Sequence, residues 1–419
     1  MVITETVDRS DPWPARLAAA QTFNNLAPAF TVDVVEPFFD FLIQDQALGD
    51  CEAAVRREML TAGSSIIELH GANRLAPLIR IFENHLAESA SSKTDDFIKE
   101  AVVILFGRLA SHLDSTDPRI PGIVDRLVES LKTPSEQVQI AVSECLSPLV
   151  PLMRLRLPDL VGQLFNELFD SPKYPQRRGA AYGLAGVIKG IGIGGMKEYN
   201  VMARLKSASE EKKRYEARQG VMFAFETLST ALGRLFEPYI TFVLPLLLTF
   251  FGDSIVDVRE ATQDAARVIM GNLSGYGVKL ILPTLLEGLD EKQWRSKKGS
   301  IELLGMMAYC SPRQLSISLP IIIPRLTGVL TDSHAQVRVA ANKSLKQFGE
   351  VISNPEIQAL TPVLLKALVD PMKTTNALSS LLKTSFTHYI DHSSLALVSR
   401  LLSFVHHSNG CVLIGHSHY

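Results

Sequence analysis

Basic side chains are the residues of this sequence whose types and spacing best suit contact with a ligand. They recur in three groups, each near the start of the second helix of a repeating two-helix unit. Equivalent positions in stacked units lie along one edge, so these cations could form a stripe that holds the phosphates of RNA. The nine residues are Arg177, Arg178, Lys212, Lys213, Arg214, Arg218, Arg295, Lys297 and Lys298.

An alternative is that these cations pair with carboxylates of the turns in structural ladders, in which each exposed ion pair contributes little stability. Suitable acids lie in or near the same turns. They include Asp170, Glu210, Glu211 and Asp290. The sequence leaves both interpretations open.

Two other segments match catalytic or phosphate-binding motifs only in part. Residues 189–197, KGIGIGGMK, have the glycines of a phosphate loop, but such a loop needs a preceding strand, and a helical pattern precedes this one. We interpret the segment as a flexible turn between repeats. Gly415-His416-Ser417 begins like a nucleophile elbow, but the final glycine and the following helix are missing. Neither segment predicts catalysis.

Histidines and cysteines show no metal-binding pattern. Six of the ten histidines lie from His388 onward, without paired spacing on a predicted helix. The four cysteines, Cys51, Cys145, Cys310 and Cys411, are far apart, and Cys145 and Cys310 lie among apolar helical residues. This usage is typical of a reducing compartment, where cysteine serves as a small core residue. We expect no metal, no cofactor and no enzymatic activity.

Composition indicates a cytoplasmic protein that binds no membrane. The net charge of −2 argues against a general polyanion binder, so any contact with nucleic acid needs a local basic patch. Residues 1–10 lack the apolar core of a signal peptide. The strongly apolar segment 240–251 is shorter than the roughly 20 residues that a bilayer requires. We interpret it as a buried helix.

The elements that position the basic residues repeat along the chain. Prolines precede aspartates by seven or eight residues at four places, and two of these aspartates, Asp253 and Asp332, are each followed five residues later by Val-Arg. These two lie 79 residues apart, so one unit has about 40 residues, the length of a two-helix HEAT or armadillo repeat. Neither helix can bury its apolar face alone, so neighbouring pairs must stack into a solenoid.

We therefore predict an all-α solenoid of about nine to ten two-helix repeats. Residues 1–11 are predicted to be a disordered N-terminus, and residues 12–398 to be one continuous solenoid without an interior boundary. Residues 399–419 are predicted to form a divergent, disordered, His-rich tail. The small residues from Gly179 to Gly186 predict a helix that approaches its neighbour closely.

Several blocks of sequence go beyond a general HEAT consensus. They span residues 177–190, 235–239, 277–283, 294–297, 303–310, 329–334 and 354–357. In these blocks the sequence resembles the family of very large HEAT-repeat translational activators of the general amino-acid control pathway. The resemblance covers roughly residues 13–398, and residues 177–398 are most similar to the part of that family that resembles the HEAT domain of fungal elongation factor three.

The resemblance implies a non-enzymatic, ribosome-associated scaffold that helps to activate the starvation-responsive kinase of translation initiation factor two alpha. In that family the central part contacts the ribosome and an ABC-type ATPase, so the nine cations become candidates for ribosome contact. From about Ser399 the sequence leaves the family pattern and the kinase-docking segment is missing, so we expect no kinase activation by this chain alone. The alternative function is a general HEAT-repeat adaptor of the transport or phosphatase-scaffold type, without ribosome binding.

Overall fold

The computed structural model describes residues 12–351, except for residues 88–92, Ser115 and Ser311. Within that part of the chain the regular elements are α-helices and short 3₁₀ helices, with no β-strand. The prediction of an all-α HEAT-type fold is confirmed. The predictions for residues 1–11, for the repeat that ends near residue 398 and for the tail 399–419 lie outside the described residues.

The chain divides into two compact units, residues 1–231 and 232–419. In the described part of the first unit, one helix precedes five helix pairs, and α10 is a short helix between α9 and α11. The helices are α1 (Trp13–Leu26), α2 (Val32–Ile43), α3 (Ala53–His70), α4 (Leu75–Ala87), α5 (Lys93–Ala110), α6 (Ile120–Ser130), α7 (Glu136–Leu149), α8 (Leu157–Asp170), α9 (Tyr174–Ile191), α10 (Gly194–Glu198), α11 (Val201–Ser209) and α12 (Tyr215–Leu232).

The described part of the second unit contains three helix pairs. They are α13 (Ile240–Phe250) with α14 (Val256–Gly271), α15 (Gly275–Glu287) with α16 (Trp294–Cys310), and α17 (Pro312–Gly328) with α18 (Ala335–Val351). The prediction of nine to ten repeats also counts residues 352–398, which the structure does not describe. The absence of an interior boundary stays a prediction.

The second helices of successive pairs pack side by side. In the first unit α1 packs on α3, α3 on α5, α5 on α7 and α7 on α9, and in the second unit α14 packs on α16 and α16 on α18. Many of the helices bury one apolar stripe, as in α6, where Ile120, Ile123, Val124 and Leu127 follow steps of three and one residues. Full burial of one such side chain stabilises the fold by about 1.5–3 kcal/mol. Within each unit, the repeat therefore places its turns along one edge and its second helices along one face.

Among the residues that the structure describes, one stretch, Tyr215–Phe250, is long and apolar enough by length and composition to cross a membrane. In the structure it is not one helix, because a 3₁₀ segment, Gly233–Tyr239, separates α12 from α13. The side chains of Val221 and Phe225 in α12 and of Val243 in α13 are completely buried. Burial in the core accounts for the apolar composition of both helices.

Cys145 is a core residue, as the sequence predicts. Its side chain is buried, and its Sγ donates a weak hydrogen bond to Ile104 O at 3.5 Å. Burial raises the pKa of the Cys145 thiol to about 12, so this thiol stays protonated at neutral pH. Cys51 is exposed. The side chain of Cys310 and the whole of Cys411 lie outside the described part.

Candidate functional site

An arginine of the second helix ties down the turn that precedes it in several repeats. Arg56, Arg259 and Arg338 each donate from Nη1 to a carbonyl oxygen six residues earlier in the chain. The distances are 2.5 Å to Asp50 O, 2.6 Å to Asp253 O and 2.7 Å to Asp332 O. Carbonyl groups in such turns have no helical partner, so the guanidinium group satisfies them. The arginine of the recurring Val-Arg pair therefore stabilises the turn that precedes its helix.

Arg177 and Arg218 occupy the same place in their repeats. Arg177 Nη1 donates to Ser171 O at 2.9 Å, and Arg218 Nη1 donates to Glu211 O and Lys212 O at 2.8 and 2.9 Å. Both side chains are buried, with 2% of Arg177 and 7% of Arg218 exposed. This finding corrects the interpretation of both residues as members of an exposed stripe, because buried guanidinium groups cannot reach a phosphate. The sequence does indicate this structural role, because Arg177 and Arg218 recur at the repeat spacing that Arg259 and Arg338 also follow.

Arg178 lies between two carboxylates on the face formed by second helices. Its Nη2 is 2.6 Å from Glu136 Oε1 and 3.2 Å from Glu226 Oε1, and Tyr182 Oη donates to Glu136 at 2.7 Å. Hydrogen bonds from Arg178 and then from Tyr182 lower the pKa of Glu136. The charge of Arg178 is thus neutralised within the protein, as the structural-ladder interpretation predicts.

Three more of the predicted cations form ion pairs. Lys297 Nζ lies 2.8 Å from Asp332 Oδ2, and Lys298 Nζ lies 3.5 Å from Glu302 Oε1. Arg214 contacts both Asp170 and Glu211, two of the acids predicted as partners. Asp290 pairs instead with Arg325 at 2.6 Å.

Two adjacent turns of the first unit carry exposed lysines that form no ion pair in the described part. Lys212 and Lys213 precede α12, are exposed and form no ion pair with any described residue. Lys173, which the sequence interpretation missed, is equally exposed and unpaired in the turn before α9. The bond between Arg214 and Asp170 holds the two turns side by side. We call Lys173, Lys212, Lys213 and Arg214 the turn cluster.

A smaller arrangement lies at the start of α16 in the second unit. The Trp294 ring stacks on the His334 ring with centroids 3.8 Å apart and an interplanar angle of 10°. The guanidinium carbon of Arg295 lies 4.5 Å from the Trp294 ring centroid. Arg295, partly exposed, has no ion pair within the described ranges. It is therefore the one predicted cation of this unit whose charge no described acid neutralises.

The ion pair of Asp332 gives a pH-dependent prediction. Burial raises the pKa of Asp332, but hydrogen bonds from Lys297 Nζ and His334 N lower it more, so its pKa lies below the ordinary value. The ionised carboxylate therefore stabilises the fold above its unfolded pKa of about 3.9, and this contribution is lost as the pH falls through the folded pKa. We expect Asp332→Asn to lower the free energy of unfolding at pH 7 by about 1–2 kcal/mol.

Urea unfolding at pH 7 and at steps below pH 4 measures this difference, which should shrink as the pH falls. Asp264→Asn is the control, because Asp264 forms an exposed pair with Arg267 within the same helix and should change stability little. A difference between wild type and Asp332→Asn that is the same at every pH would contradict the assignment.

The described residues do not assemble other chemistry at the segments singled out by sequence. No group of three or more His, Cys, Asp or Glu side chains among them could hold a metal ion. The glycine-rich segment begins within the last turn of α9, a helix and not a strand, and turns at Gly192, whose φ is 87°. It then forms the short α10, so it has the geometry of a turn between repeats.

Two family models match the chain. The model described as "EF3 N-terminal HEAT repeat" matches residues 177–345, and the model described as "Stalled ribosome sensor GCN1, HEAT repeats" matches residues 1–111. The resemblance to an activator family of the general amino-acid control pathway is confirmed.

Curated relatives match along nearly the whole chain. "Stalled ribosome sensor GCN1" of Homo sapiens is 48% identical over 389 residues, which are 93% of this chain and 14% of the human protein. "eIF-2-alpha kinase activator GCN1" of Saccharomyces cerevisiae is 46% identical over 406 residues, 96% of this chain and 15% of the yeast protein. Among solved structures, Kap121p covers 94% of this chain and 44% of its own, with a TM-score of 0.44 and 14% identity. The chain thus spans about a seventh of the length of these two relatives.

Proposed function

Because this chain is homologous to one segment of the GCN1 proteins, we propose that it is a non-enzymatic, ribosome-associated scaffold of the cytoplasm. In this role it helps to activate the starvation-responsive kinase of translation initiation factor two alpha. The names of the relatives, stalled ribosome sensor and eIF-2-alpha kinase activator, support the ribosome and the kinase as partners. An ABC-type ATPase is a further proposed partner, as the resemblance implies.

The turn cluster is the observation that supports a ribosome contact. Three lysines without acidic partners lie on two turns that the bond between Arg214 and Asp170 keeps adjacent. Because the chain has a net charge of only −2, attraction to RNA must come from such a local patch and not from the whole molecule. Each lysine that contacts a phosphate releases condensed counterions, which makes binding weaken as salt increases. The turn cluster therefore suits the phosphates of ribosomal RNA.

Sedimentation with purified ribosomes across a salt series tests the contact. The test variant changes Lys173, Lys212 and Lys213 to Ala. The matched control changes three exposed lysines that form no ion pair in the described part: Lys189 and Lys197, which lie at and just after the C-terminal end of α9, and Lys279 in α15. We expect the test variant to bind at least about tenfold more weakly at low salt, and the slope of log K against log salt to fall by about 2–3.

The control variant loses the same net charge, so it separates a local contact from general attraction. Equal loss of binding in both triple variants would exclude the turn cluster as the contact. A folded wild-type chain that does not sediment with ribosomes at low salt would contradict the proposal and favour the adaptor alternative.

A further inference from the structure

A groove of about 520 Å³ lies in the first unit, on the face formed by α3, α5 and α7. These three second helices pack side by side, and residues along the length of each of them line the groove. None of its lining residues belongs to the turn cluster. Whatever binds there uses a surface separate from the proposed ribosome contact.

Small residues and large apolar side chains both line the groove. Ser64, Ala101 and Ala141 line it and leave room for the backbone of a ligand to approach closely. Phe97 and Ile140, on neighbouring helices, are 39% and 41% exposed, although each is a side chain that gains from burial. The Arg56 guanidinium carbon lies 4.2 Å from the Phe97 ring centroid and fixes its position. The groove is therefore preformed for apolar side chains.

Two exposed charges lie near opposite ends of α3, and a third lining charge, Glu100 of α5, accepts a hydrogen bond from Thr133 Oγ1 at 2.9 Å. Arg108 is engaged with Glu144 at 3.2 Å, and Arg56 is bonded to turn carbonyls. Arg57 is largely exposed, with Glu58 no closer than 3.8 Å, and Glu68 is exposed and forms no ion pair within the described ranges. Eleven residues of helix separate Arg57 from Glu68, which is three turns or roughly 16 Å along one helix face. A cation thus marks one end of the groove and an anion the other.

We propose that this groove binds an amphipathic α-helix of a partner protein, about three to four turns long and antiparallel to α3. In that orientation the partially positive N-terminus of the ligand faces Glu68 and its partially negative C-terminus faces Arg57. Its apolar stripe packs on Phe97 and Ile140, as in other helix-in-groove complexes. A groove whose charges balance and whose walls are apolar suits a protein helix better than a nucleic acid, which needs a surplus of cations.

Selection from a displayed library of helical peptides of about 16 residues, against the full chain, tests this proposal. We expect enriched peptides to share an apolar stripe at helical spacing with a basic residue near the N-terminal end. Ile140→Asp and Phe97→Asp should each weaken their binding at least about tenfold, because an apolar anchor is lost and a carboxylate is buried. Leu155→Asp is the matched control, since Leu155 is 97% exposed and lies outside the groove.

Charge exchange tests the orientation. Glu68→Lys should weaken a selected peptide, and replacing the N-terminal basic residue of that peptide with Glu should restore binding to Glu68→Lys. Circular dichroism confirms that every variant is folded. The proposal is overturned if no selected peptide depends on Phe97 and Ile140, or if a single-stranded RNA oligonucleotide binds through these residues in place of the peptides.

Discussion

Gly179→Ala is expected to destabilise the first unit by about 2–4 kcal/mol, although alanine is the better helix former. A Cβ at Gly179 of α9 would lie 1.8 Å from Leu131 O and 2.7 Å from Leu131 C, directly after α6. These are backbone atoms, so no side-chain rotation relieves the overlap, and the two helices must move apart. Gly186 has the same constraint, with Ser143 O 2.3 Å from its added Cβ. Separation of α9 from its neighbours loses core packing in two repeats.

Hydrogen exchange of peptides from α6 to α9, together with urea unfolding, measures the effect of Gly179→Ala. Local exchange is needed because repeat arrays need not unfold in one step. Gly162→Ala in α8 is the matched control, since nothing lies within 4 Å of its added Cβ. That change should stabilise the helix by about 0.5–1 kcal/mol. If Gly179→Ala and Gly162→Ala had equal effects, the close approach of α9 would not limit stability.

The fold was predictable because residues of the same type recur at equivalent positions of successive repeats. The Asp and Val-Arg spacing marked the turns at Asp253 and Asp332 and the second helices that follow them. The run of small residues predicted a helix that approaches its neighbour closely, as Gly179 and Gly186 do. Helical periodicity also explains why Cys145 was assigned to the core. These features depend on contacts within one repeat or with the next repeat, and such contacts can be predicted from a single sequence.

The candidate site was only partly predictable, because the direction in which a side chain points depends on the neighbouring repeat. Arg177 and Arg178 are adjacent in sequence, yet one braces a turn and the other joins two carboxylates. Lys173 belongs to no sequence motif. The turn that carries it lies beside the turn of Lys213 because Arg214 bonds to Asp170. The residues that line the groove of α3, α5 and α7 lie up to 96 positions apart in the sequence, from Leu48 to Glu144. No local sequence pattern could therefore predict the groove.

The position of the exposed lysines in the turns depends on the buried arginines that bond to the turn carbonyls. Arg218 holds the carbonyl of Lys212, so the buried guanidinium fixes the backbone from which an exposed lysine projects. A fixed backbone lowers the entropy that binding must remove, although the lysine side chains themselves remain mobile. Removing a buried arginine should therefore harm both folding and presentation of the turn cluster, whereas removing an exposed lysine should harm binding alone.

Arg177→Ala is the substitution of a charged residue from which we expect the largest loss of stability, about 3–5 kcal/mol. Arg177 connects consecutive repeats, because Nη1 donates to Ser171 O at 2.9 Å and Nη2 donates to the side-chain oxygen of Gln219 in α12. Alanine leaves two buried acceptors without their charged donor, and it also removes the packing of the arginine stem. Arg177→Lys should cost less, since one ammonium group can serve only part of this pair of acceptors.

Lys213→Ala is the control for Arg177→Ala, because both changes remove one positive charge, but Lys213 is exposed and unpaired in the described part. We expect it to alter stability by no more than about 0.5 kcal/mol. Hydrogen exchange should show faster opening of the turns before α9 and α12 in Arg177→Ala and no change in Lys213→Ala. An Arg177→Ala protein as stable as Lys213→Ala would mean that this buried guanidinium is no brace, and that the repeats are held together by apolar packing alone.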